Sequence, residues 1–374
     1  MNWDLFHKLL SIDSTTGKER AVAQWLLEQL EAPHKQAFEV GDGTLNLLFT
    51  WGTPRLVFCS HMDTVPPYIP PIFPKGICLS GMSLRDPSHK WAPPSYPAEG
   101  GQNSGEAYAL RIEGRGSCDA KGQIFALYTA CKELEASGFT DFGLLLLAGE
   151  ETGSWGAKAF AKTGFQAPYL VVGEPTENKL VSASKGTLSY DLTFTGEPFH
   201  SGYPQFGVSA VDLFNQFYNQ LKTTDFGTDP VLGQTTWNVG LLHSDNPQNI
   251  LSPELSCRLY FRTTFVSHQP VQRWMETAGQ EALPNAPGSA SFPAISVSPR
   301  GGDTPAEYWV PEGFASAPVA FGSDAPHLTG FRHKAIVGPG SIRTAHRADE
   351  QVTVQELEEA VRLYQQLFRV VASN

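Results

Sequence analysis

Short apolar runs and longer mixed stretches alternate along the first half of the chain. Leu56–Cys59 (LVFC), Tyr108–Ile112, Gly143–Ala148 (GLLLLA) and Tyr169–Val172 (YLVV) have the length of buried strands, and each ends in glycine or polar residues. Helices are predicted between them over Ala120–Ser137 and Trp155–Lys162. Thr16-x-x-Glu19 has the form of a capping box and predicts a helix through Leu30; Thr353-x-x-Glu356 predicts a last amphipathic helix reaching about Val371. Strands alternating with helices predict an α/β layer with a mostly parallel sheet flanked by helices. Polar turns follow these strands at their C-terminal ends, where open α/β sheets bind ligands.

The pattern changes after residue 180. Leu188–Thr195 alternates as a half-buried strand, and Val208–Leu221 is helical. Trp237–Leu242 and Leu255–Arg262 are strands, Val271–Ala282 is a second helix, and Ala290–Val297 is a final strand. This β-α-β-β-α-β order predicts a ferredoxin-like α+β sandwich inserted into the first domain. The layout is then 1–179, an insert at 180–298, and a return at 299–374 with short strands at Val319–Gly322 and Ala335–Val337. Residues 66–107 fit neither domain; they are rich in Pro, Gly and Ser, and a structureless loop of that length is usually functional or mobile.

Composition narrows the class. The chain has 374 residues, 41% hydrophobic and 11% aromatic, enough for a substantial core. Its charge balance of 27 − 38 = −11 argues against nucleic acid and against an anionic membrane surface as partners. The N-terminus shows no basic stretch followed by a long apolar run, and the five scattered cysteines form no C-x-x-C pair. A cytoplasmic protein with reduced thiols is expected.

Five polar clusters fall at the ends of predicted elements. His61-x-Asp63 follows the LVFC strand, where a histidine could be a ligand oriented by a nearby carboxylate; an isolated H-x-D is more often a loop histidine beside a solvated aspartate. Asp119 stands in GRGSCDAKG where a dinucleotide fingerprint would have its third glycine, and a carboxylate there would repel a pyrophosphate; metal ligand and helix N-cap are equally good readings. The Glu150–Glu151 pair follows a buried strand, an arrangement that a nearby cation would stabilise. Glu174, between Gly and Pro, ends another strand, and His346 precedes the last helix. Taken singly, none separates a ligand from a turn residue. Together they supply imidazole and carboxylate donors without thiolate, a set that suits a zinc pair bridged by one aspartate.

These residues resemble the zinc amidohydrolases and exopeptidases of the M20 metallopeptidase family. The matching motifs are SHMDTVP (60–66), GRGSCDAKG (114–122), GEE (149–151), GEPT (173–176) and GPGSIRTAHRADE (338–350), in family order over nearly the whole chain. The resemblance implies an α/β catalytic domain binding two Zn²⁺, with Co²⁺ as a substitute, and an inserted ferredoxin-like dimerisation domain in a homodimer. It implies that Asp119 bridges the ions, that His61 and Glu174 complete one site, and that Glu151 and His346 complete the other. Glu150 would be the general base, and Asp63 would orient His61. His200, in GEPFHSGYPQFGVSA, would stabilise the oxyanion, in the partner subunit's site. Asn249 and Arg262 would hold the substrate carboxylate. Without the resemblance, His200 and Asn249 read as turn residues and Arg262 as a surface charge.

GEPT and the A-H-x-x-D-E ending are most similar to those of acetylornithine deacetylases. They imply hydrolysis of an N-acyl amino acid, N-acetylornithine first, in arginine biosynthesis. Acetylcitrulline or acetyllysine deacetylation, succinyl-diaminopimelate desuccinylation and di- or tripeptide cleavage are the alternatives. Ala120 departs from the family's common Met after the bridging Asp.

Overall fold

Asn2 opens the first helix: its Oδ1 accepts the Leu5 amide at 3.1 Å, and α1 (Trp3–Ser11) buries Phe6, Leu9 and Leu10. Structure is described for residues 1–41, 43–74, 77, 110–278 and 295–373 of a computed structural model. The second helix corrects its sequence expectation. Thr16 and Glu19 form no capping box; α2 (Glu19–Gln29) begins at Glu19 itself, behind Lys18 and without a side-chain cap. Thr16 Oγ1 instead donates to Asp63 Oδ2 at 3.2 Å, and Glu19 Oε2 accepts the Gly17 amide at 2.8 Å. A buried carboxylate brought close by the fold has taken the hydroxyl that would have capped the helix.

β1 (His34–Glu39), β2 (Leu45–Trp51) and β3 (Leu56–His61) follow, then β4 (Arg111–Glu113), α3 (Lys121–Ala136), β5 (Phe142–Leu147), α4 (Trp155–Ala161) and β6 (Ala167–Val172). β3 and β5 are buried at every position, as strands covered on both faces must be. Tyr108 and Ala109, expected to begin a strand, lie outside the described residues, as does most of the 66–107 segment.

The next elements are β7 (Leu180–Ser184), β8 (Gly186–Thr195), α5 (Ala210–Thr223), the two-residue strands β9 (Thr228–Asp229) and β10 (Gly233–Gln234), β11 (Thr236–His243), β12 (Glu254–Thr263), α6 (His268–Ala278), β13 (Ile295–Gly301), β14 (Ala306–Glu307) and β15 (Ser316–Val319). Four of these strands form an antiparallel sheet in the order β11-β12-β8-β13. The expected β-α-β-β-α-β sequence is therefore present, although its positions 279–282 and 290–294 lie outside the described residues. Strand β12 is buried at alternate positions from Leu255 to Thr263. Its inner face meets Phe217 and Leu221 of α5 and Val271 and Met275 of α6 in one core. The strand expected at Val319–Gly322 runs instead from Ser316 to Val319. It joins β7 in a separate sheet of order β14-β7-β15, because its backbone pairs there and not with the six-stranded sheet.

β16 (Phe331–Ile336) pairs in parallel with β6; β17 (Gln351–Thr353) pairs with β4 and leads into α7 (Val354–Ala372). Here the capping box does form: the Glu356 amide donates to Thr353 Oγ1 at 3.1 Å and the Thr353 amide to Glu356 Oε2 at 2.8 Å. The large sheet has the order β1-β2-β5-β3-β6-β16, in which β5, β3, β6 and β16 are parallel, β2 pairs antiparallel with β5, and β1 pairs antiparallel with β2. The chain divides into two compact units. The first comprises Met1–Leu180, Pro311–Phe314 and Ser323–Asn374, and the second Val181–Val310 and Ala315–Gly322. Among the described residues, no helix is long and apolar enough to cross a membrane.

Candidate metal centre

Four parallel strands of the first unit end on the same side of its sheet; His61, Glu150, Glu151, Glu174 and His346 lie at or beyond their ends, while Asp119 comes from the turn between β4 and α3. His61 is the last residue of β3 and is 1% exposed. Its Nε2 lies 3.1 Å from Asp119 Oδ1, and its Nδ1 lies 3.0 Å from the Asp63 carbonyl oxygen. The other oxygen of Asp119 lies 3.3 Å from His346 Nε2, which is 2.9 Å from Glu151 Oε1. Asp119 thus stands between two imidazoles, and ligand atoms of His61, Asp119 and Glu151 all fall within 4.8 Å of one another. His346 is held at φ +64°, a strained conformation for a residue with a side chain.

Glu150 and Glu151 sit on a turn that only glycine can begin. Gly149 has φ +66°, and a Cβ there would lie 1.7 Å from the indole nitrogen of Trp155. Asp63, fully buried, holds the same turn: Oδ1 accepts the Glu150 amide at 3.0 Å and Oδ2 the Glu151 amide at 3.1 Å. Its Oδ1 also lies 3.4 Å from His61 Nδ1, so one carboxylate orients the histidine and fixes the acidic turn. Glu174 follows β6 and is 4% exposed, and its Oε1 has no hydrogen-bond partner among the described residues.

The electrostatics show what these residues lack. Burial pushes Glu150 and Glu174 well above the usual carboxylate range; His61 opposes this, while Asp119 and Asp324 add repulsion. Burial would depress His61, but hydrogen bonds to Asp119 and Asp63 hold it well above the usual imidazole range. His346 is pushed up to about 10 by its contacts with Asp119 and Glu151. Burial would raise Asp119, yet His346 and His61 hold its carboxyl below the usual range. Buried carboxylates therefore crowd around two imidazoles, and Glu174 Oε1 is unsatisfied. A divalent cation supplies both the missing charge and the missing partner, so the residues fit one. The donors are nitrogen and oxygen only; burial holds the neighbouring Cys59 and Cys118 as thiols.

Two participants escaped the sequence reading. Asp324, 1% exposed, sits among these groups; burial pushes it up to about 7, and its Oδ1 has no hydrogen-bond partner among the described residues. Nothing in FGSDAP marks it. Glu350 closes the GPGSIRTAHRADE segment and is 1% exposed; its position four residues after His346 was a usable signal.

His200, Asn249 and Arg262 belong to the second unit. The first two are neighbours: His200 pairs with Ile250, and the Ser201 amide donates to the Asn249 carbonyl at 2.9 Å. Both are exposed, and the Gly202 amide donates to His200 Nδ1 at 3.1 Å. Arg262 lies on β12, half-buried, with its guanidinium 5.0 Å from the centre of the Tyr260 ring.

The family model described as peptidase family M20/M25/M40 matches residues 85–287. A probable carboxypeptidase from Aspergillus oryzae is 30% identical over 97% of this chain and 86% of its own length. A solved tripeptidase from Staphylococcus aureus superposes with a TM-score of 0.72 at 18% identity, covering 99% of this chain and 97% of the other. An M20 family metallo-carboxypeptidase from Sulfolobus solfataricus gives 0.65 at 15% identity over 99% of both chains. These relatives carry peptidase names, and acetylornithine specificity is not among them. With strand ends and the turn before α3 bringing together a cation-ready cluster of two imidazoles and several carboxylates, and with similarity along almost its full length, the chain belongs to peptidase family M20/M25/M40.

Proposed function

We propose that this chain is a metal-dependent exopeptidase that hydrolyses the amide bond preceding a free C-terminal carboxylate. The observation that carries the reading is the run His61–Asp119–His346–Glu151, buried at His61 and Asp119 and open to solvent at His346, with Glu150 and Glu174 beside it short of positive charge. His61, Asp119, Glu151, Glu174 and His346 would hold two divalent ions, zinc being the metal this donor set suits best. When bound, such ions supply Lewis acidity that polarises the amide carbonyl and acidifies water. Glu150 accepts the proton of the attacking water and returns it to the leaving amine. Asp63 keeps Glu150 and Glu151 in place through their amides and sets the orientation of His61. Arg262 and Asn249 bind the substrate carboxylate, a role for which a planar guanidinium is suited, and His200 donates to the developing oxyanion. Carboxypeptidase names among the relatives favour peptides over acyl amino acids as substrates.

N-acetylornithine deacetylation stays as the second reading, favoured by the GEPT and A-H-x-x-D-E segments. The two share one bond chemistry and differ in what lies on the acyl side. A zinc-loaded panel distinguishes them: short peptides with free or amidated C-termini, N-blocked peptides, and N-acetylornithine. Cleavage of free-acid peptides, blocked or not, with loss on C-terminal amidation supports the first reading. Turnover of N-acetylornithine alone overturns it. We also propose that the first unit is catalytic and that the second pairs with its copy in a homodimer. The latter rests on edge strand β11 and the exposed Phe199, Tyr203, Phe206, Leu241 and Leu242. Light scattering after size exclusion checks the mass.

A further inference from the structure

The turn that carries Asp119 is tied locally by the Ser117 amide to the Gly114 carbonyl at 3.0 Å and by the Gly122 amide to the Gly116 carbonyl at 3.0 Å, which leaves other amides of the turn in need of acceptors. Helix α3 begins behind Ala120 without a side-chain cap, and the residues just before it are buried, so their amides need acceptors too. One oxygen supplies three of them: Glu350 Oε1 accepts the amides of Gly116 at 2.9 Å, Cys118 at 3.1 Å and Asp119 at 3.0 Å. Its other oxygen meets the Arg115 guanidinium, and its backbone carbonyl accepts the Gly114 amide at 3.0 Å. Arg115 is tied in turn to the Pro67 carbonyl at 3.2 Å. Four residues earlier on the same segment, His346 holds the Asp119 side chain. One segment therefore grips Asp119 twice, by its carboxylate and by its backbone.

We propose that Glu350 is a positioning residue: its carboxylate locks the Gly116–Asp119 backbone and so sets the Asp119 carboxylate between His61 and His346 for divalent-cation binding. An ionised carboxylate is the group for this task. It only accepts, it can serve several amides at once, and Arg115 compensates its buried charge. Glutamine has the same shape, but an amide oxygen facing the turn leaves its NH₂ against the Arg115 guanidinium, donor against donor. Metal ligands depend on such outer partners, whose loss lowers affinity roughly 10–100-fold.

This role rests on the metal-centre reading, and titration of the metal-free full chain separates the two. Wild type and Glu350→Gln are titrated with Zn²⁺ by calorimetry and with Co²⁺ by visible absorption, folding being followed by circular dichroism. A folded Glu350→Gln chain is expected to bind Zn²⁺ roughly 10–100-fold more weakly and to show altered Co²⁺ ligand-field bands, which a purely structural role would not move. Wild-type affinity and bands in that variant overturn the positioning role. If the single variant does not fold, Glu350→Gln combined with Arg115→Gln removes the uncompensated guanidinium. Wild-type-like binding by the double variant overturns the role, and so does failure of both variants to fold, since Glu350 would then serve the fold and not the ligand. A wild-type chain that binds neither ion overturns the metal-centre reading itself.

Discussion

In the second unit, the alternation along β12 sends Leu255, Cys257, Leu259 and Phe261 toward α5 and α6 and leaves Arg258 and Tyr260 on the other face. In the first unit, β3 and β5 are buried on both faces, and the polar groups gather beyond the strand ends. The first arrangement distributes its stability over many apolar contacts. The second concentrates charge in a few buried positions, where Asp63 and Glu350 hold backbone amides and the histidines face carboxylates. The units should therefore fail differently: the second by losing volume, the first by losing position.

The sharpest test is Glu150→Gln. It should lower turnover about 10²–10⁴-fold, the range of a positioned general base, while zinc content stays at the wild-type level. Steady-state kinetics with elemental analysis checks this, and near-wild-type turnover would remove Glu150 from the role. Next comes Phe217→Ala in the second unit, where the ring packs at 5.5 Å from Phe194 and 5.3 Å from Trp274. It should cost about 3–5 kcal/mol of that unit's stability and leave zinc affinity unchanged. Denaturant unfolding beside a zinc titration reads both, and a loss of affinity would break the contrast between the units. Gly149→Ala should cost about 1–3 kcal/mol, since a Cβ must fit beside Trp155 at positive φ. Its effect should appear in metal affinity as well as melting temperature, because the displaced turn carries Glu151. Thr353→Ala, which removes the cap of α7, should cost about 1 kcal/mol with no change in metal affinity.

Both units were legible from periodicity, but to different depths. Alternating and helix-periodic stretches mark β8, β12, α5 and α7 because burial on one face repeats at a fixed spacing. The strands β3, β5 and β6 were visible as short apolar runs. Capping chemistry shows the boundary of local reading. Thr353-x-x-Glu356 closes its box because neither side chain is offered a better partner, whereas Thr16 was taken by Asp63, 47 residues away. The strand at Ser316–Val319 was displaced from its expected position for a similar reason, its pairing partner being β7 and not the larger sheet.

The same boundary runs through the site. The sequence by itself determined which residues carry donors and that they stand at strand ends: His61 after LVFC, Glu150 and Glu151 after LLLLAG, Glu174 after YLVVG. Chain spacing suffices for this, because strand length and turn composition are local properties. Only the tertiary structure decided that Asp119 lies between His61 and His346, that Asp63 serves a histidine and an acidic turn together, and that Asp324 joins the buried acids. It alone shows Glu350 holding three amides of a turn more than 200 residues away. Those facts depend on which strand ends the sheet order brings together, and on the burial that makes each charge seek a partner.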